Sequence, residues 1–180
     1  MKKLTLVVLI LGLVSAVGLQ ADWRDFLSIT QSKQSNSSED FDKSMVKYIK
    51  DGDESAVKDY YTKHKDQIQL IIMAENKDGK TINYSPFIVA AMYDQPKIMT
   101  VLYKINPNVI HDITYGGGTP FAEAAWYNAI GALKWFKEAG HKFEHYLNKP
   151  DKFENTPIKE AIEAGSKAAE KWLIKNGAKQ

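Results

Sequence analysis

From residue 85 onwards, apolar, small and polar residues recur in one order along the chain. Residues 119–142 (TPFAEAAWYNAIGALKWFKEAGHK) and 156–179 (TPIKEAIEAGSKAAEKWLIKNGAK) share a Thr-Pro start, an alanine five residues on, an apolar pair and a closing glycine. Residues 85–108 (SPFIVAAMYDQPKIMTVLYKINPN) form a third copy, in which Asn106 stands at the place of the glycine. A repeat of about this length predicts stacked structural units that bury their apolar faces against one another.

Each copy predicts two helices joined by a turn. A Ser or Thr can cap the first helix while the next residue, proline, occupies its first turn, as at Ser85, Thr119 and Thr156. Gly140 and Gly177 suit the left-handed turn that ends the second helix. The first helix has small residues that allow close helix contact: Ala90, Ala91, Ala124, Ala125 and Ala161. The second helix has bulky core residues: Val101, Leu102, Trp135, Phe136, Trp172 and Leu173.

A fourth, weaker copy precedes these three. Residues 45–65 keep Gly52 and the apolar spacing of Val57 and Tyr60, but not the Thr-Pro start. Residues 76–81 (NKDGKT) and 114–120 (TYGGGTP) predict turns that project between units. The expected fold is therefore all-α, with about four helix-turn-helix units and no structure other than these turns between them.

At these residues the chain resembles the ankyrin-repeat family, whose units read Thr-Pro-Leu-His-x-Ala-Ala, then Gly, Val-x-x-Leu-Leu and Gly-Ala-Asp. The resemblance covers about residues 43–179. It implies a solenoid with a concave protein-binding face. The family histidine is absent, because Ile88, Ala122 and Lys159 stand at its positions.

The N-terminus has the order of a secretory signal peptide: Lys2 and Lys3, an apolar run to about Leu19, then small residues. Cleavage is expected after Ala21, with Ala16 and Gly18 as alternatives, and the short start suggests a bacterial periplasmic protein. The chain then divides into a signal peptide (1–21), an N-terminal extension (22–42) and a repeat domain (43–180). We expect no stable membrane anchoring after cleavage.

Charge and cysteine content exclude several classes of function. The net charge of +2 comes from Lys2 and Lys3, so residues 22–180 have 22 basic and 22 acidic side chains. Nucleic-acid binding, which needs a clustered basic face, is therefore not expected. The absence of cysteine excludes disulfides and thiolate metal sites.

One short motif could indicate an enzyme. Residues 141–145 (HKFEH) fit His-x-x-Glu-His, a zinc-protease pattern that needs both histidines on one helix face. In the repeat register, His141 follows the helix-ending Gly140, so we expect a loop there and no zinc site. The glycines at 116–118 lack the Lys-Ser/Thr of a phosphate loop. We expect neither catalysis, nor a cofactor, nor a bound metal.

The resemblance assigns the partner-binding residues. In the family, two positions after the Ala-Ala pair and the turn tips build the concave face. Carried over by register, these are Met92, Tyr93, Trp126 and Tyr127, with Tyr84, Tyr115 and Phe153 from the turns. Clustered exposed aromatic residues are typical of partner surfaces. The alternative is that these side chains pack against insertions, because the units exceed the family length.

The resemblance also implies a role. Exported bacterial ankyrin-repeat proteins include immunity or self-protection proteins that bind and block a toxin or a peptidoglycan-cleaving enzyme. The expected partner is such a protein on the concave face of a monomeric chain. The alternative is an accessory factor that supports a periplasmic oxidative-stress enzyme such as catalase.

Overall fold

A computed structural model describes residues 43–63, 72–140 and 143–179. All of them belong to one compact unit, Asp40–Gln180. The predicted signal peptide and N-terminal extension lie outside the described residues, as does His141. Among the residues described, no helix is long and apolar enough to cross a membrane.

The described chain is mostly helical, with one small sheet. Helix α1 spans residues 43–51 and is followed by α2 (Glu54–Lys63), β1 (Ile72–Glu75), β2 (Thr81–Tyr84), α3 (Pro86–Met92), α4 (Pro96–Ile105), a 3-10 helix (Pro107–His111), α5 (Pro120–Trp126), α6 (Ile130–Glu138), α7 (Phe143–Leu147), α8 (Pro157–Glu163) and α9 (Lys167–Lys175). Four helix pairs result: α1 with α2, α3 with α4, α5 with α6, and α8 with α9.

The helix starts form largely as predicted from sequence. The Ser85 hydroxyl accepts a hydrogen bond from the Ile88 amide at 3.3 Å, and the Thr119 hydroxyl accepts one from the Ala122 amide at 3.2 Å. The predicted cap at Thr156 is wrong, because its side chain makes no capping bond although its backbone is extended like that of Thr119. The proline in the first turn begins α3, α5 and α8 alike, since its fixed φ suits that position.

The helices pack in two layers. In one layer α5 lies between α3 and α8, and in the other α4 contacts α2 and α6 while α6 contacts α9. Buried alanines on α3, α5 and α8 permit this approach, as predicted. Between the layers, Phe136 meets Phe87 and Phe121 edge to face, with ring centroids 6.2 and 5.4 Å away.

The two tryptophans of the second helices pack as expected. The Trp135 ring centroid lies 5.6 Å from that of Phe87, and the Trp135 indole donates a hydrogen bond to the Thr100 hydroxyl at 2.8 Å. The Trp172 ring lies 5.9 Å from that of Phe143. Both side chains are partly buried against the core.

A side chain from the turn of one helix pair caps a helix of the next pair. The Asp94 carboxylate accepts a hydrogen bond from the Ala132 amide at the start of α6 (2.7 Å), and the Asn128 side chain accepts one from the Ala169 amide at the start of α9 (2.9 Å). Asp94 and Asn128 both have positive φ, 54° and 60°, and Gly165 holds the same place in the last pair. At Gly131 a Cβ would lie 2.8 Å from the Asp94 carboxylate, so glycine allows this close approach.

Two segments differ from the expected all-α chain. β1 and β2 form an antiparallel hairpin in which Ile72 pairs with Tyr84 and Glu75 with Thr81. Ile72 and Ala74 are buried and their neighbours exposed, so alternation rather than helical spacing governs this segment. The predicted turn at 76–81 joins the two strands. The other difference is α7, where a loop was expected, because Tyr146 and Leu147 are drawn into the core.

We predict that Asp94→Gly lowers the free energy of unfolding by about 1–2 kcal/mol, because the start of α6 loses a charged hydrogen-bond acceptor. Glycine tolerates the positive φ, so the backbone itself is not strained by the change. Urea unfolding followed by circular dichroism measures the effect.

The matched control is Glu154→Gly. Glu154 also has positive φ, 63°, but its side chain makes no hydrogen bond among the described residues. We expect its stability to stay within about 0.5 kcal/mol of the unchanged protein. Equal destabilisation by both changes would contradict a role for the Asp94 cap.

Candidate functional site

A cleft of about 210 Å³ opens where the hairpin turn faces the first helices of the last two pairs. Its walls have carboxyl groups from four segments of the chain and three aromatic side chains. The carboxyl groups belong to Asp78, Glu123, Asp151 and Glu160. The aromatic side chains are Tyr84, Trp126 and Tyr127. We call this the acidic cleft.

The repeat itself places two of the four carboxyl groups together. Glu123 lies on α5 and Glu160 on α8, each three residues after the proline that begins its helix. Because α5 packs directly on α8, equivalent positions lie side by side. The corresponding residue of α3 is Val89, which is fully buried. An acidic residue thus replaces an apolar one at this position in the last two pairs.

Burial of these carboxyl groups changes their ionisation. Withdrawal from water raises the pKa of Glu123 to about 7. The pKa of Glu160 is raised to about 8, first by burial and then by the negative charges of Glu123, Asp151 and Glu163. Within the described part of the chain, no hydrogen bond or ion pair reaches either carboxyl group.

Lys77, at the hairpin turn, holds the hairpin against the ends of α5 and α8. Its ammonium donates hydrogen bonds to the carbonyl oxygens of Trp126 (2.7 Å) and Ala164 (3.3 Å), and its backbone amide donates to the Tyr127 hydroxyl at 2.9 Å. A cation is favoured at helix C-termini, where carbonyl groups concentrate partial negative charge. Burial lowers the pKa of Lys77.

The same ammonium also lies against aromatic rings. It is 5.7 Å from the ring centroid of Trp126 and 5.8 Å from that of Tyr127. Both distances lie within the range at which a cation is attracted to a ring face.

The tyrosine hydroxyls of the cleft stay in the neutral form. Burial is the main reason that the pKa of Tyr127 rises to about 12 and that the pKa of Tyr84 rises.

Two turn tips next to the cleft form a second feature. The Lys152 backbone amide donates to the Gly116 carbonyl at 3.1 Å, and the Lys152 ammonium donates to the Tyr115 carbonyl at 3.0 Å. Gly117 has a φ of 84°, and a Cβ there would lie 2.8 Å from the Lys152 side chain, so glycine permits this contact. Tyr115 is 94% exposed and Phe153 is 71% exposed. We call Tyr115, Lys152 and Phe153 the tip patch.

The structure separates the predicted partner-binding residues into three groups. Tyr84, Trp126 and Tyr127 line the acidic cleft, and Tyr115 and Phe153 lie in the tip patch. Tyr93 is half-buried under the Lys50 ammonium, which is 4.6 Å from its ring centroid. The predicted residues therefore do not form one exposed cluster.

The expected exposure of Met92 is wrong. Its side chain is only 3% exposed, because every residue of α3 is buried by the helices around it. Met92 therefore packs in the core, whereas the alternative considered for this group was packing against insertions. Tyr84 is also nearly buried, at 6%, and reaches the cleft from the end of β2.

Sequence reasoning missed Lys77 and the four carboxyl groups. For Glu123 and Glu160 a signal was present, since both occupy the repeat position of the apolar Val89. For Lys77, Asp78 and Asp151 no local pattern marks the site, because separate turns bring them to it.

The described residues include no group of three His, Asp or Glu side chains placed to hold a metal ion. Glu144 and His145 lie exposed on α7, so the expectation of a loop there is wrong.

A scan against protein-family models finds no match to this chain. A search of curated proteins finds no match either.

We predict that Glu160→Gln raises the free energy of unfolding at about pH 9 by roughly 1–3 kcal/mol, because the neutral amide removes a buried charge. The folded-state pKa of about 8 exceeds the ordinary value of 4.5. The stability that this group contributes is therefore fully present below pH 4.5 and is lost as pH rises through about 8. The advantage of the glutamine variant should grow across that window.

Urea unfolding at a series of pH values measures this. Glu138→Gln, at an exposed position of α6, is the matched control and should leave the pH dependence unchanged. If the two proteins instead differ in free energy of unfolding by the same amount at every pH, that result would count against a partly buried carboxyl group with a raised pKa at Glu160.

Proposed function

We propose that this chain is a non-enzymatic protein-binding module of the ankyrin-repeat type. The observation on which the proposal rests is the tip patch, where two neighbouring turns hold Tyr115 and Phe153 in solvent beside the acidic cleft. Two large, highly exposed aromatic side chains on adjoining turns are unusual for a surface without a partner. Tyrosine is also among the residues that contribute most to protein interfaces.

Regular geometry from pair to pair supports the ankyrin-repeat assignment. The Ser/Thr-Pro helix starts recur, and Asp94 and Asn128 cap the following pair from equivalent places. The hairpin turn contacts the ends of α5 and α8 through Lys77, and the turns before α5 and α8 contact each other through Lys152. A rigid array of this kind holds its binding surface in place before the partner arrives, which reduces the entropy lost on binding.

The biological role that we propose is immunity or self-protection in the bacterial periplasm. The chain would bind an exported toxin or peptidoglycan-cleaving enzyme and block its substrate cleft. The support is the resemblance to exported ankyrin-repeat proteins together with the signal-peptide pattern of residues 1–21. The tip patch and acidic cleft offer that partner an aromatic and acidic surface.

We predict that Tyr115→Ser with Phe153→Ser abolishes capture of the partner from a periplasmic extract of the native host, using residues 22–180 as bait. Both side chains are mainly in solvent, so the free energy of unfolding should change by less than about 0.5 kcal/mol. Captured proteins are identified by mass spectrometry, and the purified candidate is assayed with and without the chain.

The matched control is Ile174→Ser, since Ile174 is 47% exposed on α9, away from both tips. Its capture should equal that of the unchanged chain. A cell-wall hydrolase or toxin that is captured and inhibited supports the proposed role. If the captured protein is a catalase or peroxidase whose activity the chain preserves, the accessory role replaces the proposed immunity role. Equal capture by the tip variant and the control would refute the tip patch as the binding surface.

A further inference from the structure

We propose that the acidic cleft receives one lysine or arginine side chain of the protein partner, so that a cation enters between α5 and α8 while the tip patch contacts the surface around it. This inference rests on the proposed protein-binding function and adds the chemistry of the group that is bound.

The size of the cleft suits a single long side chain. Its volume of about 210 Å³ is smaller than the roughly 300–1,000 Å³ typical of pockets for drug-sized ligands. The cleft also opens beside the tip patch, because Thr114 and Gly118, which flank Tyr115 in sequence, line its wall. If the partner protein rests on Tyr115 and Phe153, a side chain that projects from its surface could therefore enter the acidic cleft.

The ionisable groups that line the cleft are all acidic. Glu123 of α5 and Glu160 of α8 line the cleft, Asp78 joins them from the hairpin and Asp151 from the turn before α8. Glu163 adds a further negative charge near Glu160. The cations nearby are Lys77 and Lys152, and the Lys152 ammonium is directed to the Tyr115 carbonyl. A cationic group is the chemical complement of these walls.

Glu123 shows that this complement is missing. Its side chain lines the cleft and is mostly, but not fully, shielded from water. Among the described residues it has neither a hydrogen-bond donor nor an ion-pair partner. A partly buried carboxyl group without a protein partner is costly to ionise, and a cation beside it would offset that cost. Partial burial raises its pKa to about 7, so the carboxyl group binds a proton more readily than an ordinary glutamate does.

Lys77 does not supply the missing cation. Its ammonium is taken up by the Trp126 and Ala164 carbonyl oxygens and makes no ion pair with a described carboxylate. Its position shows instead that the rings of Trp126 and Tyr127 accept an ammonium beside them. The lining of the cleft thus combines carboxyl groups with two rings of a kind that attracts cations.

Proton release should accompany binding of the cation. A carboxyl group that pairs with an ammonium or guanidinium must be ionised, so Glu123 and Glu160 would lose the protons that they hold in the empty cleft. With pKa values of about 7 and 8, affinity should rise as pH increases through that range. The ligand stays charged there, because lysine and arginine lose their protons only above about pH 10.

The test titrates isotope-labelled residues 22–180 with n-butylammonium and n-butylguanidinium chloride, and with n-butanol as the uncharged control. The Trp126 indole signal, assigned by Trp126→Phe, reports binding. We expect both cations to shift it with dissociation constants of roughly 1–10 mM, as suits fragments of this size, and to bind at least about tenfold more tightly at pH 8.5 than at pH 6. Butanol should cause no matching shift.

Two variants assign the site. Glu123→Gln with Glu160→Gln preserves the shape and should weaken cation binding at least about tenfold and remove its pH dependence. Glu138→Gln is the control and should behave as the unchanged chain. Equal shifts with butanol, or unchanged binding in the double glutamine variant, would overturn the proposal.

Partner capture separates this inference from the proposed function. The double glutamine variant should capture at least about tenfold less partner at pH 8 than the unchanged chain, while Glu138→Gln captures the same amount. Capture that depends on the tip patch but not on Glu123 and Glu160 overturns the inference and leaves the proposed function intact. Cation binding by a chain that captures no protein overturns both, and identifies the cleft as a site for a free amine.

Discussion

The close contact of α5 with α3 on one side and α8 on the other determines where the rest of the described chain lies. Small side chains at Ala124, Ala125 and Ala161 permit this contact, because larger ones would separate the helix axes. The second helix of each pair then packs bulky residues such as Phe136 against α3, α5 and α8. Residues of all four helix pairs join one buried apolar cluster, so contacts between pairs contribute to the core.

The packing of α5 on α8 also forms the acidic cleft. It brings two carboxyl groups together, and ionising both of them without a cation nearby is unfavourable. Equivalent positions on stacked helices lie side by side, so the substitution of glutamate at the place of Val89 brings Glu123 beside Glu160. Two adjoining, partly buried carboxyl groups disfavour each other's ionisation. A fold that is stabilised elsewhere by apolar packing can tolerate such a pair, and residues that weaken stability in this way are common at binding sites.

The hairpin links the cleft to the repeat. Its turn reaches the C-terminal ends of α5 and α8, where Lys77 meets carbonyl groups that the helices leave unpaired. One ammonium thereby satisfies acceptors from two successive helix pairs and places Asp78 at the rim of the cleft. The tip patch arises from the same kind of contact, since Lys152 joins the turn before α8 to the turn before α5.

The sequence by itself determined the local structure of the repeat. Proline in the first turn of each first helix, the alanines of the contact face, the core tryptophans and the positive φ of Gly140 and Gly177 all follow from residue type and spacing. These features depend on near neighbours along the chain, whose geometry is set by backbone sterics and helical period. The turn at 76–81 was predicted, but the alternating residues on either side of it, which indicate strands, were not recognised.

Only the tertiary structure decided which of the predicted aromatic residues are accessible and which charges surround them. Met92 and Trp126 hold equivalent places in their units, yet Met92 is buried and Trp126 lines the cleft, because α3 and α5 have different neighbours. The acidic cleft likewise draws its carboxyl groups from turns and helices that are far apart in sequence. Burial and charge proximity depend on such distant contacts, and local residue patterns do not contain them.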